Sequence, residues 1–258
     1  MLSSHSIQTR NGSGPEKREE PENQASRIIL TNVWKKYHTA AGDYPALKGV
    51  STTFQEGNFI GIIGKSGAGK STLVNMITGV DHLTSGEIWI KGTAIHTLNE
   101  NQMAQWRGQN MGVVYQSFQL LPKLTLLENI LLPMEFCGRY QPRVSEEWAL
   151  HLLEEVELQD HAQKLPSAIS GGQHQRAAIA RALANDPAFI IADEPTGNLD
   201  SVTAEVVFQL FEKLADNGKT VVIVSHDPSL SERANHILHI SDGEIVEELF
   251  RKDGNPGG

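Results

Sequence analysis

The chain has few of the residues that build disulfides, structural metal sites or membrane spans. Its 258 residues include one cysteine, Cys137, which cannot form an internal disulfide and fits a reducing compartment. No two of its ten histidines lie four residues apart, the helical spacing of a common zinc motif. The best apolar runs, residues 188–192 and 221–224, have the length of a strand, whereas a membrane-spanning helix needs about 18 or more apolar residues. We therefore do not expect this chain to cross a bilayer by itself.

Basic residues are also outnumbered. The chain has 22 Lys and Arg against 31 Asp and Glu, a formal net charge of -9 and a pI near 5.6. A nucleic-acid-binding domain usually carries a basic surface, so no nucleic-acid partner is expected. The hydrophobic content of 39% is sufficient for a globular core.

The two ends of the chain differ in composition from the middle. The first 26 residues are rich in Ser, Glu, Asn, Gln, Gly and Pro and contain no apolar segment, so they do not resemble a secretory signal. We predict a disordered tail over residues 1–26, an ordered domain over residues 27–250 and a flexible tail over residues 251–258.

The middle of the chain alternates between strand and helix patterns. Residues 59–63 form a continuous apolar run, typical of a parallel strand buried on both faces, and residues 71–78 follow as a helix. Further strands are predicted at 47–54, 86–91, 111–115, 189–192 and 220–224, and further helices at 173–184 and 204–214. After the strand at 111–115, prolines interrupt segments of helical periodicity, which predicts an inserted helical lobe at about residues 119–178. This alternation predicts an α/β fold with a parallel sheet.

A glycine-rich loop joins the strand at 59–63 to the helix after it. Its sequence, Gly64-Lys65-Ser66-Gly67-Ala68-Gly69-Lys70-Ser71, fits Gly-x-x-x-x-Gly-Lys-[Ser/Thr]. In that pattern, backbone N–H groups and a helix N-terminus surround phosphate oxygens, the lysine adds a positive charge, and the hydroxyl binds Mg²⁺. The loop predicts a nucleoside triphosphate site.

Polar side chains end two of the buried strands. Asp193 and Glu194 follow the run at 189–192, and His226 follows the run at 221–225. Parallel strands present their carboxyl ends at one sheet edge, so these groups should lie near the glycine loop. Asp193 would hold Mg²⁺ and Glu194 would polarise an attacking water as general base, although two helix-capping acids would look the same in sequence. His226 could bind the γ-phosphate or that water, or could be structural.

A second glycine turn, Ser170-Gly171-Gly172, opens the helix that begins near Gln173. A helix N-terminus with free amides attracts anions. From this tripeptide alone, Ser170 is better explained as an ordinary N-cap.

Taken together, and in their order along the chain, the motifs resemble those of the nucleotide-binding subunits of ABC transporters from about residue 27 to residue 250. Gly64 to Ser71 is similar to the phosphate loop, residues 189–194 to the Walker B strand, and residues 169–173 to the family signature. Departures are small: Ile169 stands where Leu is usual, His174 where Gln, Arg or Glu is commoner, and Lys65 where Pro is frequent. Lys65 could add charge near the phosphates or point to solvent.

The resemblance implies a P-loop NTPase (RecA-like) core with a mainly parallel sheet, an N-terminal antiparallel β subdomain and the inserted α-helical subdomain. It implies that Glu194, His226 and Lys70 are catalytic and that Mg²⁺ is held by Ser71, Gln116 and Asp193. Tyr37 would stack on adenine, with Tyr44 and Trp34 as weaker candidates. The implied ATP-binding set is Tyr37, Gly64, Lys65, Ser66, Gly67, Ala68, Gly69, Lys70, Ser71, Thr72 and Gln116.

The resemblance also implies partners. Each ATP would be shared with a second copy of the chain, which supplies Ser170, Gly171, Gly172 and Gln173 in trans, and Asp200 would lie at the dimer seam. A separate integral-membrane permease would hold the subunit at the cytoplasmic face of the plasma (inner) membrane. The residues after Gln116 could contact it, or could simply pack the lobe.

Within the family, residues 193–200 and 116–122 look like the macrolide-export and lipoprotein-release group, which favours export or force transmission acting on a lipidic, peptide or drug-like substrate. A cell-division-type or other non-transport ABC ATPase is the alternative.

Overall fold

The computed structural model describes residues 27–40 and 42–251. Residues 1–26 and 252–258 lie outside the described part, and with them most of the two predicted tails. The strands are β1 (Arg27–Thr39), β2 (Gly42–Gln55), β3 (Phe59–Ile63), β4 (Ser85–Ile90), β5 (Thr93–Ala94), β6 (Met111–Tyr115), β7 (Phe189–Asp193), β8 (Thr220–Ser225), β9 (His236–Ser241) and β10 (Glu244–Phe250). The α-helices are α1 (Lys70–Thr78), α2 (Glu100–Asn110), α3 (Leu126–Phe136), α4 (Val144–Glu155), α5 (Gly171–Ala182), α6 (Ser201–Asp216) and α7 (Leu230–Arg233).

The N-terminal strands form an antiparallel sheet in the order β2-β1-β4-β5. β1 and β2 pair along nearly their whole length, so that Tyr37 lies directly opposite Tyr44. Side chains opposite each other in such a pair lie on the same face of the sheet. The expected N-terminal antiparallel β subdomain is confirmed, with β2 starting five residues before the predicted strand.

The second sheet has six strands in the order β10-β9-β3-β8-β7-β6. Its neighbours pair in parallel from β9 to β6, and only the edge strand β10 is antiparallel to β9. The mainly parallel sheet predicted from the apolar runs is therefore confirmed. Ile63 is level with Ser225, and Asp193 with both Val224 and Tyr115, so the carboxyl ends of four strands meet at one edge.

Two cores cover the two faces of this sheet. On one face α1 packs with residues of the antiparallel sheet, and Phe54, Ile77 and Ile90 are fully buried there. On the other face α3, α4, α5 and α6 share a core that includes Leu153 and Phe211. Each Å² of apolar surface buried in these two cores stabilises the fold by about 25 cal/mol. The cores thereby fix the sheet edge on which the polar residues converge.

Helices α3 and α4 lie between β6 and α5, where the sequence predicted an inserted helical lobe. Both α3 and α5 start with capping boxes, made by Thr125 with Glu128 and by Ser170 with Gln173. Within the described part, no helix has the length and apolar character needed to span a membrane.

Candidate functional site

A cleft of about 670 Å³ opens at the carboxyl edge of the parallel sheet, below the β1–β2 hairpin. This volume is within the usual range of small-molecule sites. Its walls come from the hairpin, the glycine loop, the segment after β6 and the ends of β7 and β8. The lining residues are Tyr37, Tyr44, Ala46, Lys65, Ser66, Gly67, Gly69, Lys70, Ser71, Thr72, Gln116, Glu194 and His226.

The glycine loop connects β3 to α1 with little space to spare. A Cβ on Gly64 would lie 2.3 Å from the carbonyl oxygen of Ile240, and one on Gly69 would lie 2.6 Å from that of Ala46. Gly69 also has φ 104°, a conformation in which other residues are strained. Both positions therefore require glycine, for close packing at Gly64 and for packing and backbone geometry at Gly69.

Lys70 is 7% exposed and lines the cleft. It donates hydrogen bonds to the carbonyl oxygens of Gly64, at 2.8 Å, and Lys65, at 3.1 Å. Its Nζ also lies 3.7 Å from Oε1 of Glu194. Of the predicted loop residues, Gly64 and Ala68 lie behind the cleft wall, and Lys65, whose orientation the sequence left open, lines the cleft.

Asp193 ends β7 close to the start of α1. Burial raises the pKa of its carboxyl group, while a hydrogen bond with Ser71 and the charge of Lys70 oppose the rise and the charge of Glu194 adds to it. Its Oδ1 is buried and has no hydrogen-bond partner among the described residues. A buried carboxylate oxygen beside a serine hydroxyl matches the donors that Mg²⁺ prefers.

Glu194 is the first residue after β7 and has φ 50°, an uncommon conformation for a residue other than glycine. Its amide donates to the carbonyl oxygen of Val224 at 2.8 Å, which ties the turn to β8. Its Oε2 accepts hydrogen bonds from Ser225 Oγ at 3.3 Å and from His226 Nδ1 at 2.9 Å. The carboxylate is 15% exposed and the imidazole is 66% exposed, so the pair faces the cleft from its base.

Gln116 lines the cleft from the end of β6. Its carbonyl oxygen accepts from Asn198 Nδ2 at 3.2 Å, and a Cβ on Gly197 would lie 2.9 Å from its Nε2. The segment after β7 thus packs against Gln116, and Gly197 leaves room for its amide.

The hairpin brings Tyr37 and Tyr44 to the cleft, whereas Trp34 does not line it. The Tyr37 hydroxyl donates to Asp81 Oδ2 at 3.0 Å, and the ammonium of Lys35 lies 4.8 Å from the ring centroid. Burial and the hydrogen bond with Asp81 raise the pKa of Tyr37, so the phenol stays neutral. Of the two rings, Tyr37 is the one held by neighbours, with Asp81 at its hydroxyl and Lys35 over its ring.

The second glycine turn lies away from this cleft, and none of its residues lines it. Ser170 Oγ accepts from the amide of Gln173 at 3.3 Å, while Gln173 Oε1 accepts from the amide of Ser170 at 2.9 Å. Asp200 begins α6 in the same manner and accepts from the amides of Val202 and Thr203. Ser170 and Asp200 are therefore N-caps in the single chain, which leaves their predicted roles in trans as proposals.

The sequence did not single out three neighbours of these residues. Ser225 binds Glu194, Asp81 holds Tyr37, and Arg181 binds the backbone after Gln116. Each contact spans more than 30 residues of chain, so no local pattern could have indicated it. For Ser225, its place at the end of a buried strand was the available signal.

Comparison with known proteins gives one family. Residues 47–197 match the family model described as ABC transporter. An uncharacterised ABC transporter ATP-binding protein of Thermotoga maritima is 45% identical over 84% of this chain and 92% of its own length. The lipoprotein-releasing system ATP-binding protein LolD 1 of Chlorobium chlorochromatii is 42% identical over 76% of this chain and 80% of its own. The macrolide export ATP-binding/permease protein MacB of Syntrophobacter fumaroxidans is 40% identical over 86% of this chain but only 31% of its own.

Solved structures agree. The dimeric cassette MJ0796 of Methanocaldococcus jannaschii superposes with a TM-score of 0.82 at 41% identity, covering 88% of this chain and all of the other. A post-hydrolysis dimer of MJ0796 bound to ADP and Pi gives the same TM-score at 40% identity and the same coverage. With the glycine loop, Glu194 and His226 in one cleft and these matches over most of its length, the chain belongs to the ABC transporter family as an ATP-binding subunit with the cassette ATPase fold.

Proposed function

We propose that this chain binds and hydrolyses ATP as half of a dimer and thereby powers a separate membrane permease. The proposal depends above all on the cleft, in which the lysine of the glycine loop and a carboxylate–histidine pair face the same space. The Nζ of Lys70 lies 3.7 Å from Oε1 of Glu194. A lysine with a glycine loop binds phosphates, and a carboxylate beside it can take a proton from water.

The residues present fit a magnesium ion bound together with the nucleotide. Ser71 and Asp193, with Gln116 at the opposite wall, would hold it. Mg²⁺ in nucleotide sites is usually held by one or two carboxylates and keeps several waters and substrate phosphate oxygens in its shell. Among the described residues, no cluster of three or more His, Cys, Asp or Glu side chains could hold a metal by itself. When bound, the ion would neutralise charge on the phosphates.

In the proposed reaction, Glu194 takes a proton from the water that attacks the γ-phosphate. In its protonated form, His226 has one N–H for Oε2 of Glu194 and a second, on its exposed side, to donate towards the phosphate. Lys70 exchanges its two carbonyl partners for phosphate oxygens. Tyr37, held by Asp81 and Lys35, offers an aromatic surface for the base.

The dimer is proposed because half of the predicted site is missing from the cleft. Ser170 to Gln173 lie at the N-terminus of α5, where free amides attract an anion, but they line no part of the pocket around Lys70. The glycine turn at residues 170–172 is called here the signature turn. In a head-to-tail pair, the signature turn of one copy would cover the phosphates bound by the other, with Asp200 near the seam. The dimeric form of the similar cassette MJ0796 supports this arrangement.

The permease is the second proposed partner. The MacB relative carries its ATP-binding and permease functions in one longer chain, whereas the LolD relative is named an ATP-binding protein and is aligned over most of its length. Their names favour export or lipoprotein release as the process that this chain drives, from the cytoplasmic face of the plasma membrane. Purification with a membrane permease would support transport, and its absence would favour a cell-division-type or other non-transport ABC ATPase.

The test of the proposed activity is Glu194→Gln. We expect ATP hydrolysis to fall about 10²- to 10⁴-fold, the usual contribution of a general base, while ATP binding persists. Glu147→Gln removes an exposed carboxylate of α4 and serves as a matched control. Phosphate release and nucleotide affinity are measured for both variants. Unchanged turnover in Glu194→Gln would refute the assigned base.

A further inference from the structure

The segment after Gln116 has an unusual backbone. Phe118 and Gln119 have φ values of 55° and 52°, in the left-handed region that residues other than glycine seldom occupy. Two such residues in succession persist only where the surroundings hold them. This short segment, residues 117–119, is called here the post-Gln116 segment.

Helix α5 holds the post-Gln116 segment at two points. The guanidinium of Arg181 donates to the carbonyl oxygens of both Phe118 and Gln119. Two turns earlier on the same helix, the imidazole of His174 stacks on the Phe118 ring, with centroids 5.5 Å apart and planes inclined by 23°. Residues seven apart lie on the same face of a helix about 10 Å apart, so the segment is fastened to one face of α5.

His174 also contacts the signature turn. Its Nδ1–H donates to the carbonyl oxygen of Ser170 at 2.8 Å. The same carbonyl accepts the first helical amide bond of α5, from the amide of His174. One side chain therefore touches both the N-cap of the signature helix and the aromatic ring two residues after Gln116.

We propose that His174 is a positioning residue that couples the two ATP sites of the dimer by joining Phe118 to Ser170. This inference rests on the proposed function. Gln116 belongs to the site that its own chain builds, whereas Ser170 is offered to the site built by the partner. A shift of Gln116 on nucleotide binding changes, through Phe118 and His174, how Ser170 is presented across the seam.

A purely structural contact would have a different consequence. If the Phe118–His174 stack only stabilised the helical lobe, its loss would lower the thermal stability without changing how much ATP is needed to close the dimer. If it couples the sites, the ATP requirement changes even at temperatures far below unfolding. The two roles are therefore separable by one titration with a stability measurement beside it.

The experiment uses the full chain carrying Glu194→Gln, in which ATP-bound dimers should accumulate. Dimer mass is followed by light scattering during a titration with ATP and Mg²⁺. His174→Ala and Phe118→Ala are introduced singly and together, and His174→Phe separates the stack on Phe118, which a ring can keep, from the bond to Ser170, which it loses. His151→Ala is the matched control, because His151 also packs on an aromatic ring, Trp148, at 5.4 Å.

We expect His174→Ala and Phe118→Ala each to raise the half-maximal ATP concentration about 2- to 10-fold, the range that aromatic pairs produce. The double variant should be no worse than the more affected single one, because both substitutions break the same contact. His174→Phe keeps a ring that can stack on Phe118 but loses the bond to Ser170, so it should remain impaired, and His151→Ala should leave the ATP response unchanged. Thermal unfolding shows that each variant is folded at the assay temperature.

Two results would overturn the inference: unchanged ATP dependence in both single variants, or effects of His174→Ala and Phe118→Ala that simply add. Should His174→Ala fail to fold, Phe118→Ala reads the same contact from the other side, and an unchanged titration there overturns it equally. Failure of the proposed function looks different, because the parent Glu194→Gln chain would then show no dimer at any ATP concentration.

Discussion

Asp193 lies in an environment that disfavours its own charge. Its carboxylate is buried, which raises its pKa, and its Oδ1 has no hydrogen-bond partner among the described residues. A buried carboxylate oxygen without a hydrogen-bond partner costs free energy until a cation binds it. We therefore expect Asp193→Asn to raise the melting temperature of the nucleotide-free protein by about 2–4 °C, the shift that roughly 1 kcal/mol produces in a chain of this size.

The same substitution should remove most of the extra stabilisation that Mg²⁺ adds to ATP, because a neutral amide binds a divalent cation more weakly than a carboxylate does. Scanning calorimetry with ATP alone and with ATP plus Mg²⁺ measures both effects. Asp216→Asn, at the exposed end of α6, is the control for loss of one acidic charge. A lower melting temperature for the nucleotide-free Asp193→Asn variant than for the wild type would contradict the argument from burial.

Among the elements, three strands buried on both faces were predicted correctly from sequence. β3, β7 and β8 are almost entirely buried, so each appears as an uninterrupted apolar run. Helix α2 was not predicted, since Met103 is its only buried residue in the structure and no apolar face marks it. The capping box of Asn99 and Gln102, which fixes its start, was the available signal.

The residues of the candidate site also fall into two groups, those that a local pattern indicates and those that it does not. Residues that belong to a compact motif, such as Lys70 and Glu194, could be found from spacing, and the structure brings them into one cleft. The contact of His174 with Phe118 and the hold of Arg181 on the same segment could not, because they depend on how α5 packs against the end of β6. Local spacing determines the first kind of residue and tertiary packing determines the second.

β9 and β10 were also not predicted, and a histidine joins them. His236 in β9 is fully buried, and its Nε2 lies 2.8 Å from Oε1 of Glu248 in β10, which also accepts from Thr52 Oγ1 in β2. Phe250 stacks on the imidazole with centroids 4.3 Å apart, and Phe54 meets it edge-on. The edge strand β10 is therefore attached to both sheets around one imidazole.

Burial lowers the pKa of His236, although the hydrogen bond and charge of Glu248 oppose this. The unfolded chain, with the ordinary histidine pKa near 6.5, then binds a proton that the folded chain resists. The contribution of His236 to stability is complete above that pKa and is lost as the pH falls through it towards the folded value. We expect the wild-type protein to lose more stability between pH 7.5 and 5.5 than His236→Gln does, as measured by urea unfolding.

His239→Gln is the control for this comparison, since His239 is the neighbouring histidine of β9 and is partly exposed, with a side-chain exposure of 33%. Its pH dependence should follow that of the wild type. If stability fell equally with pH in the wild type and in His236→Gln, protonation of the buried imidazole would not destabilise the folded protein, and the prediction would be wrong.

At the scale of the whole molecule, the two helix starts that we propose bind the phosphates lie apart on one chain. Lys70 and its loop line the cleft, while Ser170 caps a helix that follows the inserted lobe and lies outside that cleft. A single chain cannot bring both to one triphosphate without rearranging its core, which the close packing of α5 resists. In the proposed dimer, association of two copies would bring them together without such a rearrangement and would produce two equivalent sites.

This arrangement predicts complementation between two inactive variants. Lys70→Ala and Ser170→Arg should each abolish hydrolysis in homodimers, because every site then lacks one half. In a mixed dimer one site carries both defects and the other carries none, so an equimolar mixture should recover about a quarter of wild-type turnover if the chains pair at random. A chain with both substitutions, mixed with either single variant, should recover nothing, because no pairing then gives an intact site. Phosphate release from the mixtures decides the question, and a mixture that stays inactive while the chains are folded and dimeric would refute the shared site.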